Sequence, residues 1–302
     1  MKNIGIDIGG TFIKAAIVES KGKIVLSSKT PTPKTGADIP QKVIEMIDDL
    51  LQKAGVNISE IKSVGIGVPG VCDTKKGTIV NCPNIEGCKN IAICDYVSEK
   101  FNVKAYIDND ANCAALGEYT VSDIKSDSFV FVTLGTGVGG GIILGGRLLR
   151  GINSAAGEVG HIVIKQDGER CNCGRRGCWE RYASVTALVR QARAAGFTGH
   201  VSGRSIFADK AKGNKKADEV IKKWLEYVAE GICDMVNIFQ PDEIVIGGGI
   251  SREGDIILDP VKAFADKYSI KDTNSPRNTQ IRISKLFNDA GVVGASFLYT
   301  QN

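Results

Sequence analysis

The sequence lacks the long apolar runs and the leader that mark membrane and exported proteins. Glycine or charge interrupts the apolar runs well before the roughly 18 residues that a membrane-spanning helix needs. The opening strand-like run already contains Asp7, and it is too short and too polar for the apolar region of a signal peptide. These absences predict a cytoplasmic protein with no membrane partner.

A concentration of positive charge is also missing. The formal net charge is only +4 over 302 residues, and lysine and arginine form no long run. Proteins that hold nucleic acid through a basic arm or stripe need such a concentration. We therefore expect no nucleic-acid partner.

The nine cysteines come with no sign of export, so we expect reduced thiols rather than disulfides. Six are scattered singly and are predicted to be small buried residues: Cys72, Cys82, Cys88, Cys94, Cys113 and Cys233. The other three cluster with a histidine, in the order His161, Cys171, Cys173 and Cys178. Three thiolates and one imidazole on a glycine-punctuated segment suit a closed tetrahedral site for structural Zn²⁺.

The length and the hydrophobic pattern predict an α/β protein of two lobes. At 302 residues the chain exceeds the usual size of a single core, and 43% of its residues are hydrophobic. Strand and helix patterns follow the same order in each half, a β-meander and then α/β units. We assign residues 1–118 plus 290–302 to the N-terminal lobe and 119–289 to the C-terminal lobe, with a cleft between them.

Apolar periodicity and turn residues predict the individual elements. In the first half, strands are expected at 3–8, 12–19, 23–30, 63–68 and 103–107, and helices at 39–54, 91–101 and 110–119. In the second half, strands are expected at 129–134, 139–144, 147–149, 243–246 and 280–284, and helices at 184–195, 205–212, 215–239, after Gly249 and at 290–299.

Three glycine-rich turns at strand ends indicate a nucleotide site. They are Asp7, Gly9, Gly10 and Thr11 with Lys14 just beyond; Gly135, Thr136 and Gly137; and Gly247, Gly248 and Gly249. Glycine lets backbone N–H groups approach phosphate oxygens closely, and a strand-end aspartate can hold hydrated Mg²⁺. One such turn alone is typical of a simple chain reversal. Three of them in two matching halves favour the binding of a nucleotide.

Carboxylates and amides in two places suggest a polyol site. Asp108, Asn109 and Asp110 stand at a strand end before a helix, where Asp110 is either a helix cap or a functional carboxylate. Glu158 and Glu180 flank the cysteine-rich segment. Sugars are typically held by such groups through paired contacts to their hydroxyls, so the mixture fits a sugar site.

With these motifs the chain resembles the ROK family of bacterial sugar kinases and repressors, within the actin-like ATPase superfamily. The likeness covers nearly the whole length and rests on the segments 7–11 (DIGGT), 67–70 (GVPG), 108–112 (DNDAN), 134–137 (LGTG), 157–161 (GEVGH) and 171–180. The resemblance implies two actin-like, ribonuclease H-like lobes, each a β-meander followed by α/β units. It also implies a homodimer or homotetramer.

The same resemblance implies roles for the site residues. Asp110 would remove the proton from the attacking sugar hydroxyl, and Asn109 would help to place the sugar. Glu158, His161 and Glu180 would bind the hydroxyls near the anomeric end, with His161 also a zinc ligand. The expected reaction is transfer of the γ-phosphoryl group of ATP to the 6-hydroxyl of an aldohexose, with glucose as the first choice.

Other functions remain open beside the glucokinase reading. Kinases for N-acetylmannosamine, allose or fructose belong to the same class. Gly70 and Asn84 complete the expected substrate-binding set, and Cys88 stands on the Asn84 loop where family glucokinases usually carry tryptophan. That departure makes N-acetylated sugars the main rivals. A repressor would carry a DNA-binding domain ahead of Asp7, and a silent sensor would lack Asp110, so both are remote.

Overall fold

The chain folds into two compact units. The computed structural model describes residues 1–123, 126–270 and 278–301. The first unit comprises Met1–Lys125, Gly141–Gly157 and Asn288–Asn302, and the second comprises Ser126–Gly140 and Glu158–Phe287. The sequence pattern assigns 141–157 to the second lobe, whereas the structure groups this segment with the first unit. None of the helices in the described ranges has the length and apolar character that a bilayer span requires.

The regular elements alternate along the chain as the periodicity predicts, with shifts of a few residues at their ends. The strands are β1 (Lys2–Ile8), β2 (Phe12–Val18), β3 (Ile24–Pro31), β4 (Ile61–Val68), β5 (Val71–Asp73), β6 (Thr78–Asn81), β7 (Lys89–Ile91), β8 (Ala105–Asn109), β9 (Ser128–Leu134), β10 (Val138–Leu144), β11 (Arg147–Leu148), β12 (Glu243–Gly247) and β13 (Gln280–Ile283). The helices are α1 (Ile39–Ala54), α2 (Ile93–Phe101), α3 (Asp110–Thr120), α4 (Glu180–Ala183), α5 (Val185–Ala194), α6 (Gly203–Ala211), α7 (Lys215–Phe239), α8 (Asp255–Tyr268) and α9 (Ala290–Ser296).

The first unit is built on a five-stranded sheet of order β3-β2-β1-β4-β8. Strands β1, β2 and β3 form an antiparallel meander, and β4 and β8 add to β1 in parallel. The register places Asp7 opposite Gly67 on β4, and Gly67 opposite Asp108 on β8. Because parallel strands end at the same edge of a sheet, Asp7 and the segment that follows Asp108 share one edge.

Helix α1 covers this sheet with one apolar face. Its buried side chains include Ile39, Val43, Ile47 and Leu50, which recur at the spacing of helical turns. The helix ends before Gly55, which adopts the left-handed conformation at φ 62°. The sequence pattern therefore predicts this helix correctly over 39–54.

The second five-stranded sheet has the order β11-β10-β9-β12-β13. Strand β12 is parallel to β9 and β13, and Gly247 lies opposite Thr133. Strand β10 starts in the second unit and continues into the first, where it pairs antiparallel with β11. The ends of β9 and β12 therefore lie side by side, which places two glycine-rich turns next to each other.

Several elements differ from the sequence-based expectation. Strands β5, β6 and β7 form a three-stranded antiparallel sheet that no periodicity revealed, since they span only three or four residues each. The helix expected directly after Gly249 begins at Asp255, because a 3₁₀ turn over Gly249–Glu253 ends at Gly254 with φ 59°. The helix expected over 290–299 ends at Ser296 and is followed by a 3₁₀ turn, Leu298–Gln301.

Candidate functional site

The first glycine-rich turn connects β1 to β2 in the first unit. The N–H of Gly9 donates to the carbonyl oxygen of Phe12 at 2.9 Å, which closes the turn. The hydroxyl of Thr32 donates to the carbonyl oxygen of Gly9 at 2.6 Å, which fixes it to the neighbouring chain. Gly10 and Thr11 are exposed at its tip. The turn therefore presents a held backbone to solvent, as a phosphate-binding turn requires.

Opposite charges lie beside this turn. Asp7 on β1 pairs in register with Lys14 on β2, and Lys14 Nζ donates to the carboxylate of Asp289. Burial raises the pKa of Asp7 to about 6, although the charge of Lys14 acts against the rise. Burial likewise lowers the pKa of Lys14, against the attraction of Asp7. Because the ionised form of Asp7 is poorly solvated, a hydrated cation bound beside it would stabilise that form.

Replacement of Asp7 by asparagine is expected to stabilise the fold at neutral pH. Folding raises the pKa of Asp7 from 3.8 to about 6. The ionised carboxylate therefore destabilises the folded state, and this destabilisation reaches its full size only above about pH 6. Asp7→Asn should raise the free energy of unfolding by roughly 1–3 kcal/mol near pH 7.5. The gain should shrink as the pH falls through the window from 6 to 4.

Urea denaturation at a series of pH values measures this effect. Asp48→Asn, a change at an exposed position of α1, is the matched control and should show no comparable gain. A variant Asp7→Asn that is less stable than the wild type at neutral pH would contradict the assigned shift.

The junction of β8 and α3 holds the candidate base. Asn109 is the helix cap: its side-chain oxygen accepts the N–H groups of Ala111 at 2.9 Å and of Asn112 at 3.3 Å. Its amide nitrogen donates to the carbonyl oxygen of Gly70 at 3.1 Å. Asp110 is the first residue of α3, and its Oδ1 accepts the N–H of Ala111 at 2.8 Å. Asn109 therefore supplies the helix cap, and Asp110 places its carboxylate in the first turn beside that cap.

The loop between β6 and β7 carries Asn84 to the first turn. A Cβ atom placed on Gly10 would lie 3.6 Å from the Cβ of Asn84, so the two residues are neighbours. The loop is fixed by the N–H of Gly36, which donates to the carbonyl oxygen of Glu86 at 2.7 Å. Cys88 is buried at its base, as predicted, while Asn84 is exposed. A Cβ atom placed on Gly70 would lie 3.0 Å from Cδ of Pro83, so the Gly70–Asn109 contact lies beside the same loop.

The second and third glycine-rich turns meet in the second unit. The N–H of Gly135 donates to the carbonyl oxygen of Gly137 at 3.0 Å, which closes the turn between β9 and β10. Gly248 has φ 89°, and a Cβ there would lie 2.2 Å from the carbonyl oxygen of Leu134. This contact requires glycine. Of the remaining members, Gly247 is buried and Thr136 and Gly249 are exposed.

Four potential metal ligands converge in the second unit. The ligand atoms of His161, Cys171, Cys173 and Cys178 all lie within 4.8 Å of one another. Cys171 Sγ is 3.6 Å from His161 Nδ1, and Cys173 Sγ is 3.6 Å from Cys178 Sγ. A tetrahedron with Zn–S bonds of about 2.3 Å has sulfur–sulfur edges of about 3.8 Å. The donor set and its spacing therefore fit a tetrahedral zinc ion.

The protein orders this cluster through its own backbone. The N–H of Cys171 donates to the carbonyl oxygen of Arg175 at 2.8 Å, and the N–H of Gly174 donates back to that of Cys171 at 3.0 Å. Trp179, which follows the last cysteine, is fully buried, and its indole N–H donates to the carbonyl oxygen of Tyr227 at 2.7 Å. The first two bonds close a tight turn that begins at Cys171, and the buried Trp179 fixes the chain directly after Cys178.

Glu180 links the histidine–cysteine cluster to the Gly135–Gly137 turn. Its Oε1 lies 3.9 Å from Cys171 Sγ, and its Oε2 accepts the N–H of Val138 at 3.4 Å. A Cβ atom on Gly137 would lie 2.2 Å from Oε2, so glycine is required at that position. The sequence contains no signal for this contact, because nothing in the pattern relates two residues 43 positions apart.

The two ring nitrogens of His161 face different partners. Nδ1 points to Cys171 within the cluster, whereas Nε2 lies 4.0 Å from Oε2 of Glu158. Glu158 is well exposed, with 62% of its side chain accessible. An imidazole held by a metal through one nitrogen can offer the other to a substrate hydroxyl. The second unit thus brings Glu158, His161 and Glu180 around one corner of the cluster.

Sequence reasoning missed the main partner of Asp108. This carboxylate is completely buried, and it receives a hydrogen bond from Arg150 Nε at 2.7 Å. Arg150 belongs to no motif and lies on the segment that the pattern assigned to the other lobe. Only the buried aspartate itself, which needs a cation, could have prompted a search for it.

Comparisons with known proteins agree with these features. The family model described as "ROK family" matches residues 3–302. A glucokinase of Halalkalibacterium halodurans is 35% identical, over 99% of this chain and 94% of that protein. A xylose repressor of Caldicellulosiruptor bescii is 30% identical, over 96% of this chain and 76% of that protein. The structure of a ROK family glucokinase from Streptomyces griseus, in complex with glucose and AMPPNP, covers both chains completely with a TM-score of 0.84 and 33% identity.

Proposed function

Since the chain belongs to the ROK family, we propose that it is an ATP-dependent hexose kinase that phosphorylates the 6-hydroxyl of an aldohexose, with glucose preferred. The relatives of this chain include a repressor, so the choice between a kinase and a repressor rests on the site residues. The observation that carries the proposal is the place of Asp110, a carboxylate on the first residue of α3, directly after the Asn109 cap.

Asp110 acts as the general base. Its carboxylate accepts the proton of the sugar 6-hydroxyl while that oxygen attacks the γ-phosphorus of ATP, and ADP leaves as the bond to the bridging oxygen breaks. The position at the start of α3 helps because the helix dipole favours negative charge there. Asn109 cannot move freely, since both ends of its amide are hydrogen-bonded within the chain, and it fixes Gly70 beside the base.

Phosphate binding is assigned to the three glycine-rich turns. In the first unit, the Gly9–Gly10 turn and Lys14 would contact phosphate oxygens, and Asp7 would hold the hydrated Mg²⁺ that accompanies ATP. Lys14 would then give up its hydrogen bond to Asp289 and donate to a phosphate oxygen instead. In the second unit, the adjacent turns at Gly135 and Gly248 are a further candidate for contacts to a nucleotide. Magnesium supplies charge neutralisation of the phosphates when bound.

Each unit offers groups suited to sugar hydroxyls: Glu158, His161 and Glu180 in the second unit, and Asn84 and Asn109 in the first. The carboxylates accept hydrogen bonds from hydroxyls, and His161 Nε2 offers a further contact. Zinc would be held by the His161–Cys171–Cys173–Cys178 set, and its contribution is structural, because all four tetrahedral positions are filled by protein atoms. The cluster also positions two sugar-binding groups, because Cys171 contacts both Glu180 and the imidazole of His161.

A sugar panel tests the preferred substrate. Glucose is expected to give the highest kcat/KM among glucose, 2-deoxyglucose, mannose, allose, N-acetylglucosamine and N-acetylmannosamine at one ATP concentration. A site that hydrogen-bonds hydroxyls rejects substrates that lack them. A preference of tenfold or more for an N-acetylated sugar, about 1.4 kcal/mol in transition-state binding, would overturn the glucose assignment and leave the kinase reaction intact.

A further inference from the structure

The turn from β8 into α3 is organised by the buried carboxylate of Asp108. Its Oδ1 accepts the backbone N–H of Asn109 at 2.8 Å and the side-chain amide of Asn112 at 2.9 Å. The first bond fixes the peptide between Asp108 and Asn109, one residue before Asp110, and the second fixes the first turn of the helix that Asp110 begins. The orientation of Asp110 therefore depends on where the Asp108 carboxylate lies.

Arg150 holds the other oxygen of that carboxylate. Its Nε donates to Asp108 Oδ2 at 2.7 Å, and 18% of the arginine side chain and 1% of the aspartate side chain are exposed. A buried carboxylate that loses its cation is strongly disfavoured, so it moves or draws in water. Arg150 thus determines whether Asp108 can stay in the position that orders the turn.

A second set of contacts holds Arg150 itself. Its Nη1 donates to the carbonyl oxygen of Gln301 at 3.0 Å. The Gln301 side chain is buried, and its Oε1 accepts the N–H of Leu148 at 2.9 Å. Its amide nitrogen donates to the carbonyl oxygen of Gly146 at 3.4 Å. The guanidinium is therefore held between Asp108 and the turn Leu298–Gln301, and the Gln301 side chain ties that turn to the β10–β11 hairpin.

We propose that Arg150 is a positioning residue for the base Asp110, acting through Asp108, in the kinase reaction proposed above. Three steps join them: Arg150 holds Asp108, Asp108 holds the Asn109 peptide and the Asn112 amide, and these fix the start of α3. A displacement of a catalytic group by about 1 Å can cost about a hundredfold in rate. The segment Gly141–Gly157 therefore serves the catalytic machinery of the first unit.

Steady-state kinetics of two Arg150 variants test this role. Arg150→Met is expected to lower kcat for glucose by about tenfold to a hundredfold, with KM for ATP changed by less than about twofold. Arg150→Lys keeps the cation but cannot fork between Asp108 and Gln301, so a smaller loss of about threefold to tenfold is expected. Arg147→Met, at an exposed arginine of the same hairpin, is the matched control and should keep wild-type kcat.

The decisive comparison repeats the changes in an Asp110→Asn background. A residue that acts only through the base has nothing left to position there, so Arg150→Met should cost less than about twofold in that background. Equal losses in both backgrounds, or an unchanged kcat in the wild-type background, would overturn the proposal. If Arg150→Met does not fold, Arg150→Lys in the two backgrounds gives the same decision.

The kinase assignment is tested separately from Arg150. Kinetics of the wild type and of Asp110→Asn alone come first. Absence of sugar phosphate from the wild type, or an unchanged kcat in Asp110→Asn, would show that the proposed function or its base is wrong. A failure confined to the Arg150 comparison would leave both standing.

Discussion

Replacement of Asp110 by asparagine is expected to lower kcat for sugar phosphorylation by about 10²- to 10⁴-fold. The amide has the shape of the carboxylate but cannot accept the proton of the 6-hydroxyl. The N–H of Ala111, now bonded to Asp110 Oδ1 at 2.8 Å, can donate equally to the oxygen of an amide, so the start of α3 should remain intact. Binding of sugar and of ATP, measured by calorimetry, should therefore change by less than about threefold.

Asp95→Asn is the matched control for this change. Asp95 lies in the first turn of α2, in the same unit, and it is exposed. The same substitution at that helix end should leave kcat unaltered. If Asp110→Asn instead keeps near-normal kcat, the base is another residue; if it loses sugar binding as well, Asp110 acts mainly as a ligand.

Loss of one cluster thiolate should have the second large effect. The purified protein is expected to hold about one zinc per chain, and Cys173→Ser should weaken zinc binding by more than about a hundredfold. The four ligand atoms lie within 4.8 Å of one another, so loss of the ion from this variant leaves two thiols, one hydroxyl and an imidazole close together with no cation to bind them. The loop should then loosen, and KM for sugar should rise because Glu180 contacts Cys171.

Metal analysis by mass spectrometry and sugar kinetics read out this prediction. Cys233→Ser is the matched control, since Cys233 is a buried single cysteine on α7, outside the cluster. It should retain zinc and sugar affinity. Full activity in a sample shown to be free of zinc would contradict the structural role, as would wild-type zinc affinity in Cys173→Ser.

Local patterns predicted much of this protein. The first meander follows from alternating apolar residues and the Gly9–Gly10 turn, and the amphipathic helix α1 follows from apolar residues at helical spacing. The convergence of the histidine–cysteine cluster also follows from local information, because its three cysteines lie within eight residues and need only a short turn to meet. The ROK membership follows from motifs along nearly the whole chain.

Contacts between distant residues could not be predicted in this way. Arg150 and Asp108 are 42 positions apart, and no periodicity relates them. The sequence pattern around β10 and β11 assigns these strands to the second half. In the structure, however, Arg150 donates to Asp108 and Leu148 donates to Gln301, and both acceptors belong to the first unit. The sheet of β5, β6 and β7 was missed because its strands are too short to show alternation.

The most direct test of the kinase reaction is to identify its products. Wild-type protein, Mg·ATP and ¹³C-labelled glucose should give glucose 6-phosphate and ADP in a ratio of one to one, followed by ³¹P and ¹³C magnetic resonance. The ¹³C shift should change at carbon 6, because that oxygen receives the phosphoryl group. ADP and inorganic phosphate without phosphorylated sugar, or unchanged ATP with all the hexoses of the panel, would contradict the assignment of this chain as a hexose kinase.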